Sequence, residues 1–342
     1  MNMKHSKYGF IIILLALSGC NSGTSSTPSN DIKNVIENTS TIDKSTANEL
    51  NNYVESVKNT NTDSDSDWNI NQWKLTLPIS KTYFRDNFDH SISGGSSAAE
   101  LVPGGCRGSN ASLSEKTSYV DYFYIGNDGH THFKVNLSDP SLATTENTSY
   151  VRSELRELYH YKTQSGCNTD KQNWHIQDNN AHRLESTLTI KQAPNVSQPK
   201  VVIGQVHGQH IKQALVKLLW EGNSRPIRAI INDNFVEGNN KCSNSHCHPF
   251  SIDLGKAKVG EEFSYMINVD QQGIVIKAAN VEKRILWGQT IKSDGNSYTL
   301  SKNWTNPSNS FYFKAGIYPQ LKPGSTNGVF DVSFSKIAIE HE

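Results

Sequence analysis

An all-β fold, an antiparallel sandwich or jelly roll running from Trp68 to Glu342, is what this sequence of 342 residues predicts. Three observations carry that reading. Short stretches alternate apolar with polar residues at a period of two, turns of Gly, Pro, Asn and Asp separate them, and no regular exchange of strands with helices appears.

Taken in order, Trp73 to Leu77 opens the domain, because Trp73, Leu75 and Leu77 share one parity and Lys74 and Thr76 the other. Ser80 to Lys116 is rich in Gly and Ser and is read as one long loop over an end of the domain, a kind of segment that is usually functional. Strands are expected next at Tyr119 to Tyr124, His130 to Asn136 and Val151 to Tyr159. From His182 to Ile190, Leu184, Ser186, Leu188 and Ile190 alternate with Arg183, Glu185, Thr187 and Thr189, which makes one face dry and the other wet. Val201 to Val206, Leu215 to Trp220 and Ala229 to Asp233 are short β-rich runs, as are Phe263 to Asp270 and Gly273 to Ala278. Phe311 to Tyr318 and Val329 to Ile339 close the set, and there is no internal repeat.

The amino terminus reads as an address. Lys4 and Lys7 precede an apolar run from Tyr8 to Leu17, well short of the roughly 20 residues a spanning helix needs. It ends in Leu17-Ser-Gly-Cys20, which resembles the lipobox of bacterial lipoproteins, so residues 1–19 are expected to be a signal and Cys20 the lipidated first mature residue. A plain secretory signal is the alternative. Residues 20–67 are dominated by Ser, Thr, Asn and Asp and cannot bury enough surface to offset their ordering entropy, so a tether is expected, with the domain at 68–342. The implied address is an exported, membrane-anchored protein at the outer membrane or cell surface, or in the periplasm.

Formal charge is zero, 33 basic against 33 acidic residues, and loss of Lys4 and Lys7 leaves 31 basic residues. A partner of strong charge must therefore be met by a local concentration of charge. No basic patch accompanies a nucleic-acid motif, and nucleic acid is not expected as a partner. Of five cysteines, Cys106, Cys167, Cys242 and Cys247 remain after Cys20, and an oxidising compartment favours disulfides. Four cysteines allow three connectivities; the short spacing makes Cys242 with Cys247 the natural first pair, leaving Cys106 with Cys167. A zinc site in Lys241-Cys-Ser-Asn-Ser-His-Cys-His248 is the rival reading, weakened because His246 and His248 flank Cys247 and no distant second half-site exists.

Three segments carry chemistry. In Tyr150-Val-Arg-Ser-Glu-Leu-Arg156, side chains of like parity, about 6.5–7 Å apart on a strand, bring Arg152, Glu154 and Arg156 to one face. Gln205-Val-His207 pairs an amide with an imidazole in the same way. In Tyr312-Phe-Lys-Ala-Gly-Ile-Tyr-Pro-Gln320, Tyr312, Lys314, Tyr318 and Gln320 take the wet parity while Phe311, Phe313, Ala315 and Ile317 take the dry one. Together they suit a polyanionic sugar. In order and wording the segments resemble the R-[ST]-E-L-R, Q-[IV]-H and Y-F-K-A-G-x-Y-x-Q boxes of polysaccharide lyase family seven, the alginate lyases, with Trp73-Lys-Leu-Thr-Leu-Pro78 similar to that family's first core strand.

That resemblance implies a concanavalin A-like jelly roll with a groove on its concave face, and β-elimination of a 4-linked uronate polymer. Elimination removes the proton at C5 and expels the oxygen at C4, and the ionised carboxylate beside C5 resists it. His207 and Tyr318 are implied as the acid–base pair, with His207 the base for guluronate and Tyr318 for mannuronate, whose C5 protons lie on opposite faces. Arg152, through its planar fork, and Gln205 would neutralise the carboxylate. Arg156 and Lys314 are implied as substrate contacts. Glu154, between two arginines, is expected to orient them and to stay ionised. Gln320 and Tyr312 complete the expected substrate-binding set, Lys217 is read either as a further cleft cation or as a solvated strand lysine, and the chemistry calls for no metal and no organic cofactor. Val206 in the middle box is associated in that family with mannuronate-rich substrates.

Two other functions compete. A sandwich glycoside hydrolase needs two carboxylates about 5–10 Å apart, and Glu154 and Glu157 have opposite parity. A non-catalytic carbohydrate-binding module would need only cations and aromatics, and a lyase for another polyuronate shares the same chemistry. His130, His132, His160, His175 and His182 are read as structural, Trp220, Trp287 and Trp304 as either core or sugar platforms, and a monomer is expected.

Overall fold

The structure, a computed structural model, describes residues 69–342 apart from 107–109, 147, 163–168, 244–245 and 325. The expected export signal, Cys20, the expected tether, Trp68 and Cys167 lie outside the described residues. Nineteen strands are present among the described residues. One sheet holds β1 (Trp73–Ser80), β2 (Ala98–Pro103), β3 (Ala111–Leu113), β7 (Ser153–Glu157), β9 (Val201–Gly208), β10 (Ala214–Trp220), β11 (Arg228–Asn232), β12 (Pro249–Asp253) and β18 (Phe311–Pro319). The second holds β4 (Ser118–Tyr119), β5 (Phe123–Ile125), β6 (Thr131–Asn136), β8 (Ala181–Gln192), β13 (Glu262–Asp270), β14 (Gly273–Ala278), β15 (Val281–Leu286) and β19 (Val329–His341). A hairpin of β16 (Thr290–Ser293) and β17 (Asn296–Thr299) stands apart, and a short α-helix, α1 (Lys81–Asn87), follows β1.

The first sheet runs β12-β11-β10-β9-β18-β7-β1-β2-β3, the second β15-β14-β13-β8-β19-β6-β5-β4. All pairings are antiparallel except β2 with β3. Their facing sides share one core, in which Leu75, Leu155, Val206, Leu218 and Phe313 meet Phe133, Leu184, Leu188, Ile267 and Phe334. The dry and wet alternation expected for β8 is observed, with Leu184, Leu188 and Ile190 fully buried. Tyr265 reaches across from β13 to donate to the Ile203 carbonyl at 2.9 Å, and it can do so because residue 204 is Gly: a Cβ there would come within 2.6 Å of the phenol oxygen.

Four expectations change. Ser80–Lys116 is not one loop, because it contains α1, β2 and β3 with Leu101, Ala111 and Leu113 buried. Ser80 caps α1 by accepting the Tyr83 N–H, and β2 lacks a clear alternation because both its faces are largely buried. Tyr119 to Tyr124 is broken into β4 and β5 by a turn closed from Tyr122 N to Tyr119 O. Strands β12 and β15 to β17 are additions, and β15 is mostly exposed and charged, which hides it from apolar periodicity. Trp220, Trp287 and Trp304 are core: each is at most 8 % exposed and donates its indole N–H to a backbone carbonyl.

Cys242 and Cys247 form a disulfide with Cα atoms 5.7 Å apart, so these sulfurs are not the free thiolates that zinc would require. Cys106 is also disulfide-bonded.

Candidate active site

Residues of the first sheet whose side chains point away from the core line a cleft of about 410 Å³. Cross-strand register builds its floor. Lys217 on β10 pairs with Gln205 on β9, Gln205 with Lys314 on β18, Lys314 with Arg156 on β7, and Arg156 with Lys74 on β1. Neighbouring strands lie about 4.8 Å apart, so one polar side chain is presented per strand across five strands. Beside this row Tyr312 pairs with His207. Tyr318 joins the same face past a β-bulge between Ala315 and Tyr318, where β18 advances one residue more than β9. Gly316 sits in that bulge at φ 128°, and a Cβ there would lie 2.7 Å from the Ser153 carbonyl oxygen.

Glu154 is the hub beneath the floor. Only 2 % of its side chain is exposed, and its carboxylate accepts from Arg152 Nη1 at 2.8 Å, from Lys314 Nζ and from Gln205 Nε2. Burial alone would push the Glu154 carboxyl up, but Lys314 and Arg152 outweigh it and hold it below the usual carboxylate range. Removing this carboxylate leaves the buried Lys314 and the largely enclosed Arg152 without their counter-charge. Glu154→Ala is therefore expected to cost about 3–5 kcal/mol in denaturant unfolding, and a loss below about 1 kcal/mol, the worth of an exposed pair, would contradict the hub.

The cations have unequal freedom. Burial and the nearby Arg152 lower the Lys314 ammonium to about 8, against the opposing pull of Glu154. Lys217 is lowered by burial and by Arg152 and makes no ion pair among the described residues. Arg152 commits Nη1 to Glu154, lays its guanidinium 4.0 Å over the Tyr318 ring, and has no hydrogen-bond partner for Nε among the described residues.

His207 Nδ1 lies 2.9 Å from the Gly208 carbonyl, which can only accept, so the ring proton sits on Nδ1 and Nε2 carries the open lone pair. Tyr312 Oη is 3.2 Å from the same Nδ1, and the two rings stack. Burial first, then Lys314 and Arg152, push the imidazole down to about 4. It is neutral at pH 7 and able to accept a proton. Tyr318 Oη is 2.6 Å from Thr148 Oγ1, a hydroxyl from the loop before β7.

The fold has counterparts among known proteins. A family model described as alginate lyase matches residues 68–341. The chain belongs to that family. It is 24% identical over 254 residues to an alginate lyase of Klebsiella pneumoniae, covering 65% of this chain and 78% of the relative. Its fold is similar to the crystal structure of an alginate lyase from the same organism, with a TM-score of 0.55 at 18% identity over 80% of this chain and 97% of that one. It is similar also to an alginate lyase of Pseudomonas aeruginosa, TM-score 0.53 at 22% identity, with 80% of this chain and all of that chain covered. A third likeness is to the family 7 alginate lyase A1-II′ solved with a product, TM-score 0.54 at 20% identity, with 80% and 96% covered.

In this alginate lyase family member, the cleft brings together Arg152, Arg156, Gln205, His207, Lys217, Tyr312, Lys314 and Tyr318. One expected contact is placed elsewhere. Gln320 does not line the cleft; its amide turns back onto the Tyr318 and Pro319 carbonyls, at 3.2 and 3.4 Å. Glu154, expected to orient Arg152 and Arg156, lies under the cleft and holds Arg152 Nη1, while Arg156 turns to other acceptors. Arg156 lines the cleft, yet its Nη hydrogens go to the Glu157, Gln172 and Thr169 carbonyls and the Asn173 side chain. With its guanidinium 4.1 Å over Tyr312, it ties residues 169–173 to the floor and has no fork left for a carboxylate. Lys74 and Thr76 also line the cleft and were not singled out from the sequence; the alternation of Trp73-Lys-Leu-Thr-Leu-Pro78 is the signal that could have found them. Nothing in the sequence marked Thr148 or Asn239, which reach the cleft from loops.

Proposed function

We propose that the protein cleaves alginate by β-elimination, with one uronate ring held so that its carboxylate meets Arg152 and Gln205, C5 faces His207 and O4 faces Tyr318. The observation that carries this is the state of His207: Nδ1 is committed to Gly208, Nε2 is open, and burial among cations keeps the ring neutral. A base held near 4 is weak, so neutralisation of the carboxylate must supply most of the barrier reduction. On guluronate, the C5–H bond breaks toward His207 Nε2, its electrons form the C4–C5 double bond, and the C4–O4 bond breaks as O4 takes the Tyr318 proton. Solvent then restores both groups. On mannuronate, with C5–H on the other face, Tyr318 must enter as the phenolate: it takes the C5 proton, the C–H electrons form the C4–C5 double bond, and the same proton passes to O4 as the C4–O4 bond breaks, which returns the phenolate. Lys217 and Lys314 attract neighbouring carboxylates.

The accompanying proposal for location is a lipid anchor at Cys20 and a tether reaching to about residue 67, with a monomeric catalytic domain at the cell envelope. The export signal and lipobox in the sequence support it. Cys20→Ala is the matching variant; release of the protein from membrane to soluble fractions is expected.

Purified protein incubated with mannuronate-rich and guluronate-rich block polymers tests the reaction and its preference together. Ultraviolet absorbance from a double bond conjugated to the carboxylate is expected to rise with each new chain end. New reducing ends without absorbance would mean hydrolysis, and neither signal would mean binding alone.

The pH dependence has a definite sign. Below about 4 His207 is protonated and cannot accept the C5 proton, whereas above about 8 Lys314 loses the charge that draws in the polyanion. A profile of kcat/KM should therefore rise on its acid side near 4 and fall past about 8. An acid limb near pH 7 would contradict the desolvated, cation-flanked imidazole.

A further inference from the structure

Behind the cleft, on the core side of the same strands, a group of titratable side chains takes no part in the elimination. Glu157 ends β7, is 1 % exposed and faces the second sheet. Its Oε2 accepts from the Trp174 indole Nε1 at 2.9 Å and from the Phe313 backbone N–H at 2.8 Å. Its Oε1 lies 2.7 Å from His341 Nε2 on β19. His341 meets His182 of β8 through their Nδ1 atoms, 2.7 Å apart, and the His182 ring stacks on Trp174 with centroids 4.2 Å apart. Burial, reinforced by His341, pushes His182 down to about 4, so it is neutral and a single proton bridges the two imidazoles. The carboxylate thus gathers donors from β18, from the segment before β8 and from the C-terminal strand.

The place where Phe313 donates matters. Pairing of β7 with β18 begins at Arg156 with Lys314, so the Phe313 N–H lies just beyond the last backbone partner β7 offers. A side-chain oxygen takes the place of the missing carbonyl. Phe313 stands between Tyr312, whose hydroxyl is 3.2 Å from His207 Nδ1, and Lys314, which is bonded to Glu154. Trp174 fastens the same strand a second time, exchanging backbone hydrogen bonds with Phe311 at 2.9 and 2.7 Å.

We propose that Glu157 is a positioning residue for the elimination: by holding the Phe313 N–H it sets Tyr312 and Lys314 against His207 and Glu154, with Trp174 and His341 fixing its orientation. The proposal rests on the reading of the cleft given above. A group that served only the fold would lower the melting temperature and leave turnover per folded molecule unchanged.

The test is kcat, KM and Tm on alginate for Glu157→Leu, which keeps the bulk and removes both acceptors, beside Glu157→Gln, which keeps one oxygen for Trp174 and Phe313. Assayed well below each melting point, Glu157→Leu is expected to lower kcat about tenfold with KM within about twofold, and Glu157→Gln to restore kcat to within about threefold of wild type. Wild-type kcat in a folded Glu157→Leu would overturn the proposal. Should that variant not fold, Trp174→Phe and His341→Leu each delete one donor. A kcat lowered at steady KM in them supports positioning, and wild-type kcat in both overturns it. Wild-type enzyme assayed alongside separates the two readings, since unsaturated product from it together with unchanged variants counts against Glu157 alone.

Discussion

His207→Ala is expected to lower kcat/KM on guluronate-rich alginate about 10³-fold, the usual worth of a positioned general base, with the fold unchanged. The side chain is only partly enclosed, and its hydrogen bonds go to its own neighbour Gly208 and to Tyr312, so its loss leaves no buried charge. Circular dichroism and a melting curve check the fold, and the initial rate of absorbance rise checks the chemistry. Mannuronate-rich polymer should be affected less, because there the C5 proton faces the phenol. A fall below about tenfold on both polymers would remove His207 from the proton transfer.

Tyr318→Phe is expected to have an effect of the same order, about 10³-fold in kcat, and on both polymers, since protonation of O4 depends on the phenol in either case. KM should move little. The ring that Arg152 covers at 4.0 Å and that Tyr150 meets edge-on survives the substitution, and only the hydroxyl and its 2.6 Å bond to Thr148 are lost. A deeper loss on mannuronate than on guluronate would match the double role given to Tyr318 there. Equal turnover of variant and wild type would assign the leaving-group proton to another donor. The comparison of these two variants across two polymers is more informative than either alone, because only a stereochemical division of labour predicts that the order of damage reverses.

Much of this site was legible because β-strands convert sequence parity into facing. Arg152, Gln205, His207, Lys314 and Tyr318 could be assigned to a common face from alternation and from the boxes they sit in, and they do line one cleft. The opposite parity of Glu154 and Glu157 was readable for the same reason: one lies beneath the cleft and the other points to the core. Alternation says which face a side chain takes and nothing about its partners. Arg156 was thus assigned to the substrate, whereas its donors are taken by the carbonyls of residues 157, 169 and 172. Gln320 kept the right parity on paper but lies past the end of β18, where alternation no longer applies. Thr148 comes from a loop, where no period exists. Strands β2 and β3 escaped because Gly and Ser flank them and because β3 is three residues long.

The core claim is that one uronate ring meets a guanidinium, an amide, an imidazole and a phenol at the same time. It is tested most directly by the crystal structure of Tyr318→Phe, slowed enough to retain substrate, with a bound alginate oligosaccharide. The expected result is a single sugar carboxylate on Arg152 and Gln205, with its C5 within reach of His207 Nε2 for guluronate and its O4 beside ring 318. A sugar bound elsewhere, or a carboxylate turned away from Arg152 and Gln205 with C5 out of reach of both His207 and position 318, would contradict it.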